Sequence, residues 1–438
     1  VSNQNPTETD KPLECDMMVI GAGMAGMAAA LFAAHRGLTT VLVGESSEVI
    51  FASGLLDLLG VHPVAAQKAW DDPWAALASL RRDEPEHPYA RIPDEDIHSA
   101  FGQVTDFLAE AGLPYTLGGD RNRRLLTSLG TEKISYALPR TMDAGPEALA
   151  DRGACLIMDI RGLKGFSARQ IAFARKADWP GIRPVRIAFP GTEKQAEVYT
   201  EPLARALEVE AQRETFAAVL DPHVRDVDFV GMPAVLGIYR CSEVMAHLEA
   251  RLGVRLFEIP SFPPCIPGLR LKEAFEQYLP RRGVRMITGR RVLSARFEGR
   301  EGFFFEVGAS DVQLRVRSRA TVLASGRFLG GGLRSDRQRV RETLFGLPVH
   351  QPTGRAEWHR RRFLNPAGHP LNRAGLAVDD GFRPLDTNGR AAHPALFAAG
   401  TILSHQDWMR SKCGSGLAMA SAYAAVKAFC EAGIGGAG

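Results

Sequence analysis

The sequence predicts an α/β protein, a Rossmann-like domain built from separated segments of the chain and interrupted by an inserted α/β domain. Three observations predict it. An apolar run, Asp16-Met17-Met18-Val19-Ile20, enters Gly21-Ala22-Gly23-Met24-Ala25-Gly26 and then an alanine-rich stretch to His35. Strand-like runs ending in small residues return late, at 320–326 and 396–401. The stretch between them alternates strands and helices without a second glycine fingerprint.

The first unit reads as strand, G-x-G-x-x-G turn and helix, the arrangement that seats a dinucleotide pyrophosphate. Gly21 permits the tight turn, Gly23 lets backbone approach the phosphates, and Gly26 lets helix and strand pack closely. Met24 and Ala25 open the helix, whose N-terminus offers N–H groups to the anion. After the helix-ending Gly37, residues 38–43 read as the second strand. An acidic residue commonly ends this strand and holds a ribose hydroxyl. Glu45 stands one residue late for that role.

The run 51–59 follows, with Ser53 and Gly54 small enough for close approach and Ser53 and Asp57 able to hydrogen-bond there. It also reads as a helix capped by Ser53 with Leu55, Leu58 and Leu59 in the core. From 85 to 264 the pattern suggests an inserted α/β cap over a substrate. Its strands are expected at 155–160, 185–189 and 227–231, its helices at 201–218 and 242–252. Residues 1–14 read as a loose polar tail. The segments 15–84 and 265–438 then form one discontinuous cofactor domain.

In that second segment a helix is expected at 269–279 and a strand at 284–288. A three-stranded meander over 292–297, 303–307 and 312–316 leads into the strand ending at Ala324-Ser325-Gly326. A further strand ends at Gly400-Thr401, and Lys412-Cys413-Gly414-Ser415-Gly416 opens a helix to Cys430. A nicotinamide enzyme needs the first fingerprint but not this late strand, loop and helix. A flavoprotein does: reduction places negative charge near N1 and O2 of the isoalloxazine, and oriented N–H groups at a helix start stabilise it. Lys412 would reinforce the effect. The chain is therefore read as a flavoprotein.

The bulk numbers exclude other classes. A net charge of +3 over 438 residues gives no case for nucleic acid binding. Six cysteines without a C-x-x-C pair argue against an iron–sulfur cluster or a structural zinc held by this chain alone, and no metal site is expected. Reduced thiols suit a cytoplasmic protein. No apolar run approaches the roughly 18 to 20 residues that span a bilayer, and the tail lacks the apolar core of a signal peptide. Membrane contact is expected only through a partner.

Several segments together resemble one family, the B subunits of anaerobic glycerol-3-phosphate dehydrogenase, related to the fumarate reductase and succinate dehydrogenase flavoproteins. They are GAGMAG at 21–26, SGLLDLL at 53–59, HPY at 87–89, RGLKGF at 161–166, PSFPPCIPGLRL at 260–271, VLASGRFLGGGL at 322–333, GRAEW at 354–358 and LFAAGTIL at 396–403. The resemblance covers about residues 16 to 430, and the middle and late motifs are far more specific than the glycine turn. It implies a complex that oxidises sn-glycerol 3-phosphate to dihydroxyacetone phosphate and sends electrons to menaquinone in anaerobic respiration. It further implies a sister flavoprotein subunit, an iron–sulfur subunit reaching the inner face of the membrane, and FMN in this subunit. The complete glycine turn is more naturally explained by a pyrophosphate, hence FAD. No histidine follows the second strand where the related succinate dehydrogenase flavoproteins attach theirs, so non-covalent flavin is expected.

Oxidising a secondary alcohol needs a base, a hydride acceptor and cations for a phosphate. His87, His359 and His405 are base candidates by residue type, with His405 favoured because its loop lies between the Gly400 strand end and the last helix. Arg270, Arg327, Arg334 and Arg355 lie in the family-like motifs and could hold a phosphate; Arg270 and Arg355 are taken with His405 as the catalytic set. Arg121–Arg124 and Arg360–Arg362 read as solvated faces or docking patches, and Cys265 as a buried thiol in a rigid turn. Three functions remain open: a dehydrogenase subunit acting on glycerol 3-phosphate, a flavin relay or scaffold without a substrate site, and a freestanding fumarate-reductase-like enzyme.

Overall fold

The computed structural model describes residues 11–45, 48–299 and 302–433. Strand β1 (Leu13–Ile20) passes through the glycine turn into helix α1 (Met24–His35), and β2 (Thr40–Gly44) follows. β1 begins inside the expected tail, because Leu13 and Glu14 pair with Val316 and Arg317. Residues 1–10 of that tail lie outside the described residues. After a shorter helix, Pro73–Asp83, comes helix α2 (Asp94–Glu110).

The chain then builds a separate parallel sheet from β3 (Cys155–Ile160), β4 (Ile182–Ile187), β5 (Phe229–Pro233) and β6 (Arg255–Ile259), ordered β6-β5-β3-β4. Two apolar clusters cover its faces, one around Phe216 and Leu248 and the other around Trp179 and Phe257. The helix expected over 201–218 forms two, Thr200–Leu207 and Glu210–Leu220.

Helix α3 (Ile266–Tyr278) returns the chain to the first sheet, followed by β7 (Val284–Thr288), β8 (Arg291–Phe297), β9 (Phe303–Gly308), β10 (Val312–Leu323), β11 (Leu396–Ala398) and helix α4 (Gly414–Glu431). The sheet runs β7-β2-β1-β10, all parallel. β10 is one long strand where the sequence suggests two. Its first half pairs antiparallel with β9, which pairs with β8, and its last residues pair parallel with β11. The meander thus hangs from a strand that also reaches the centre of the parallel sheet, so the separated segments share one sheet.

α1 and α4 pack against one another, and their alanines make this close approach possible. Ser421 ties α4 to the β11 end: its hydroxyl donates to Leu417 O at 2.6 Å and accepts from Gly400 N at 2.9 Å. α2 falls within the stretch expected to form the insert. Its apolar face, Ile97, Phe101, Val104, Phe107 and Leu108, instead belongs to the core shared by β1, α1 and α4. Helical periodicity shows which face is buried, but not which neighbour buries it.

Candidate functional site

A cleft of about 660 Å³ opens at the carboxyl ends of the parallel strands. Gly21, Gly23, Met24 and Ala25 form one wall, Gly44 and Glu45 another, Ala324, Ser325 and Gly326 a third, and Thr401, Lys412, Gly414 and Ser415 the far end. Ser53 and Asp57 line it as well. The segment 51–59 is irregular where a Ser53-capped helix was the alternative, although Leu55, Leu58 and Leu59 are buried.

The glycine turn is held by close packing. Gly21 has φ +116°, and a Cβ there would stand 2.3 Å from Ala324 O, so the turn and the β10 end touch backbone to backbone. A Cβ on Gly26 would meet Gly21 O at 1.8 Å. Gly23 differs: it has extended backbone, and a Cβ would meet nothing within 4 Å, because the residue faces the cleft. No side chain caps the α1 N-terminus. Gly54, Gly400 and Gly416 stand behind the lining, where a Cβ would strike Pro267, Ala25, and Asp57 O with the Tyr89 hydroxyl respectively.

These residues fit a dinucleotide. The uncapped N-terminus of α1 faces the cleft beside an unobstructed Gly23, and the buried Ser325 hydroxyl, with no partner, lines the same space. At the far end Gly414 and Ser415 open the eighteen-residue α4, again without a capping side chain. Glu45 is exposed on the wall just past Gly44, and half-buried Glu48 stands beside it, its carboxyl pushed up by burial. Sequence reasoning misses Glu48, which sits among turn residues.

The three residues expected to be catalytic lie off the cleft. Arg270 is 2% exposed and is spent on an ion pair: its guanidinium reaches Glu258 at 2.5 and 2.8 Å and donates to Gly237 O at 2.8 Å. Arg355 is exposed, its guanidinium 5.5 Å from the Trp358 ring. His405 sits with its ring 4.0 Å from that of His350 and its Nδ1 3.4 Å from Glu86, and does not line the cleft. Of the other histidines, His87 is buried, and His359 is exposed with its ring edge-on to that of His369, 5.3 Å between centroids. Arg334 is exposed. Cys265 is buried and donates to Ala52 O.

Arg327 does line the cleft, but its donors go to main-chain carbonyls: Thr401 O at 2.6 Å, Leu403 O at 3.1 Å, Gln406 O at 3.0 Å and Asn372 O. Burial pushes it down to about 10, so it stays charged near neutrality. It staples the loop 401–406 and is not available to a substrate phosphate. Arg327→Met should lower stability by roughly 3 kcal/mol, since removing one donor group strands several buried carbonyls. Urea denaturation checks this, and Arg327→Lys should recover little, because an ammonium cannot match the fork.

His87 offers a pH prediction. Burial first, then the charges of Arg373, His62 and His405, push it down to about 3, and its Nδ1 accepts from Tyr89 N at 3.2 Å. The unfolded chain therefore binds a proton below about 6.5 that the native chain refuses down to about 3. Stability from this group is complete above that upper value and is lost as pH falls through the window. His405, pushed down to about 4 mainly by burial, acts in the same direction. Melting temperature should fall steadily from pH 7 to pH 4, and His87→Asn, which keeps an acceptor for Tyr89 N, should flatten the slope.

The FAD binding domain family matches residues 16–417. A B subunit of anaerobic glycerol-3-phosphate dehydrogenase from Vibrio vulnificus is 27% identical over 95% of this chain and 96% of its own length. A relative from Halobacterium salinarum, named as a "probable" B subunit of the same enzyme, is 32% identical over 96% of this chain and 99% of its own. The chain belongs to this B-subunit family of FAD-binding flavoproteins. Among solved structures, a 3-ketosteroid Δ1-dehydrogenase from Sterolibacterium denitrificans is 14% identical with a TM-score of 0.45, over 96% of this chain and all of that one. Family membership gives the cleft its occupant class, a flavin, and makes the chain a flavoprotein of the oxidoreductase kind. Among the described residues no helix is long and apolar enough to cross a membrane, and no cluster of His, Cys, Asp or Glu suits a metal.

Proposed function

We propose that this chain is a flavoprotein subunit of an anaerobic respiratory glycerol-3-phosphate dehydrogenase, converting sn-glycerol 3-phosphate to dihydroxyacetone phosphate with electrons passed to quinone. The observation that carries this is the end-to-end similarity to the B-subunit relatives, combined with an intact flavin cleft. Its partners are a sister flavoprotein subunit and an iron–sulfur subunit. The complex works in the cytoplasm at the inner face of the membrane, which this chain meets through those partners.

The cofactor is FAD, held non-covalently. A pyrophosphate seat at Gly21–Gly26 with wall continuing to Gly44 and Glu45 suits the adenosine half that FMN lacks. Among the described residues no histidine lines the cleft to form a covalent link. When bound, the flavin supplies an acceptor for the hydride of a secondary alcohol. Gly23 and the α1 N-terminus hold the pyrophosphate, and Glu45 holds the ribose. The α4 N-terminus with Lys412 would stabilise negative charge on the pyrimidine end of a bound flavin.

A second reading, a flavin relay without substrate chemistry, is favoured by the placement of His405, Arg270 and Arg355 away from the cleft. Anaerobic addition of sn-glycerol 3-phosphate to the purified chain separates the two. Bleaching of the flavin absorbance places oxidation here. Bleaching only in the assembled complex gives this chain the relay role. Turnover of a carboxylic acid by the isolated chain would instead favour a freestanding enzyme.

A further inference from the structure

Lys133 comes from outside the dinucleotide fold. It lies on a hairpin, Arg123–Leu126 paired with Glu132–Ser135, that reaches into the far end of the cleft. Its Nζ donates to Asp57 Oδ2 at 2.6 Å, and Ser135 donates to Asp57 Oδ1 at 2.7 Å. Asp57 is fixed in turn to the start of α4: its N–H donates to Ser415 Oγ at 2.6 Å, and Gly416 N donates to its carbonyl at 2.8 Å. The hairpin is thus locked to the helix N-terminus through one carboxylate.

The lining cations are Lys133, Arg327 and Lys412. Arg327 is consumed by carbonyls. Lys412 has no carboxylate within ion-pair distance among the described residues, yet the fold is built to place it. Its backbone is left-handed at φ +53°, a strained conformation for lysine, and a Cβ on Gly60 would stand 3.0 Å from the Lys412 Cβ. Lys133 and Lys412 repel: after burial, the charge of Lys133 is the next influence pushing Lys412 down. Lys133, Lys412 and Arg410 face Asp57 and Asp407 there, which leaves a net positive corner that a dianion would relieve.

We infer that Lys133 anchors the phosphate of a phosphomonoester at the ring end of the cleft, with Lys412, which serves the flavin, adding only to the positive field there. This rests on the reading of a phosphorylated substrate, and it replaces the arginines expected in that role. An ammonium keeps two further donors after bonding Asp57, so Lys133 can bind phosphate without leaving its carboxylate.

The test titrates the purified flavin-loaded chain with inorganic phosphate, using glycerol as neutral control and the flavin difference spectrum as readout. Phosphate should perturb the spectrum saturably and glycerol should not. Lys133→Met should weaken phosphate by about tenfold or more, and Lys133→Arg should restore much of it, with flavin content equal in all three proteins. No saturable phosphate effect on the wild type, or equal affinity in Lys133→Met, overturns the subsite. If sn-glycerol 3-phosphate competes with phosphate without bleaching the flavin, the subsite stands and oxidation moves to the sister chain. If it bleaches the flavin but is indifferent to phosphate and to Lys133→Met, the dehydrogenase reading stands and the subsite falls.

Discussion

Gly23→Asp should leave a folded protein that no longer holds flavin. The backbone at Gly23 is extended, φ −80° and ψ −177°, which any residue adopts, and its Cβ would point into open space. The substitution therefore costs the fold little. It costs the cofactor a great deal, because a carboxylate would stand where the pyrophosphate must approach the α1 N-terminus. Two like charges about 4 Å apart repel by about 4 kcal/mol at the effective dielectric of a protein surface, enough to weaken binding by roughly a thousandfold. Flavin content after purification should drop to near zero, while the melting temperature matches that of wild-type protein stripped of flavin. Gly26→Ala makes the contrast. There the new methyl meets Gly21 O at 1.8 Å, so turn, strand and helix must separate, and stability and flavin should fall together.

Arg270→Ala should destabilise the protein by about 3 to 5 kcal/mol, the usual cost of stranding one member of a buried ion pair. The pair has side-chain exposures of 1% and 0%, and it joins the sheet strand β6, through Glu258, to helix α3. Glu258 also accepts from Leu236 N at 2.7 Å, and Arg270 donates to Gly237 O, so the pair brackets the loop after β5. Arg270→Met with Glu258→Met removes both charges. The double variant should recover much of the loss, and the cycle should show strong coupling. Chemical denaturation measures both effects. A variant at Arg270 that kept full stability but lost substrate oxidation would contradict the structural role of this pair.

The contrast between these two residues shows what the sequence can carry. Gly21, Gly23 and Gly26 are legible because strand, turn and helix are consecutive, so local spacing encodes the geometry. The meander leading into β10 is legible by its alternation. Arg270 is not, since an arginine on a helix reads the same whether its partner is a substrate phosphate or Glu258, which lies on a strand of the other sheet. Lys133 carries no signal in a polar hairpin; only the fold brings it to Asp57 across 76 positions. α2 reads as part of the insert because the pattern changes near Pro85, whereas its apolar face joins the first core. Lys412, adjacent to the glycine-rich start of α4, can be placed because its neighbours in sequence are its neighbours in space.

The proposed occupant of the cleft assembled from separated segments is one FAD per chain. The most direct measurement is acid precipitation of the purified protein, followed by mass identification and quantitation of what remains in solution. One FAD per chain, released without covalent attachment, is the expected result. FMN, flavin retained on the polypeptide, or no flavin at all would contradict it.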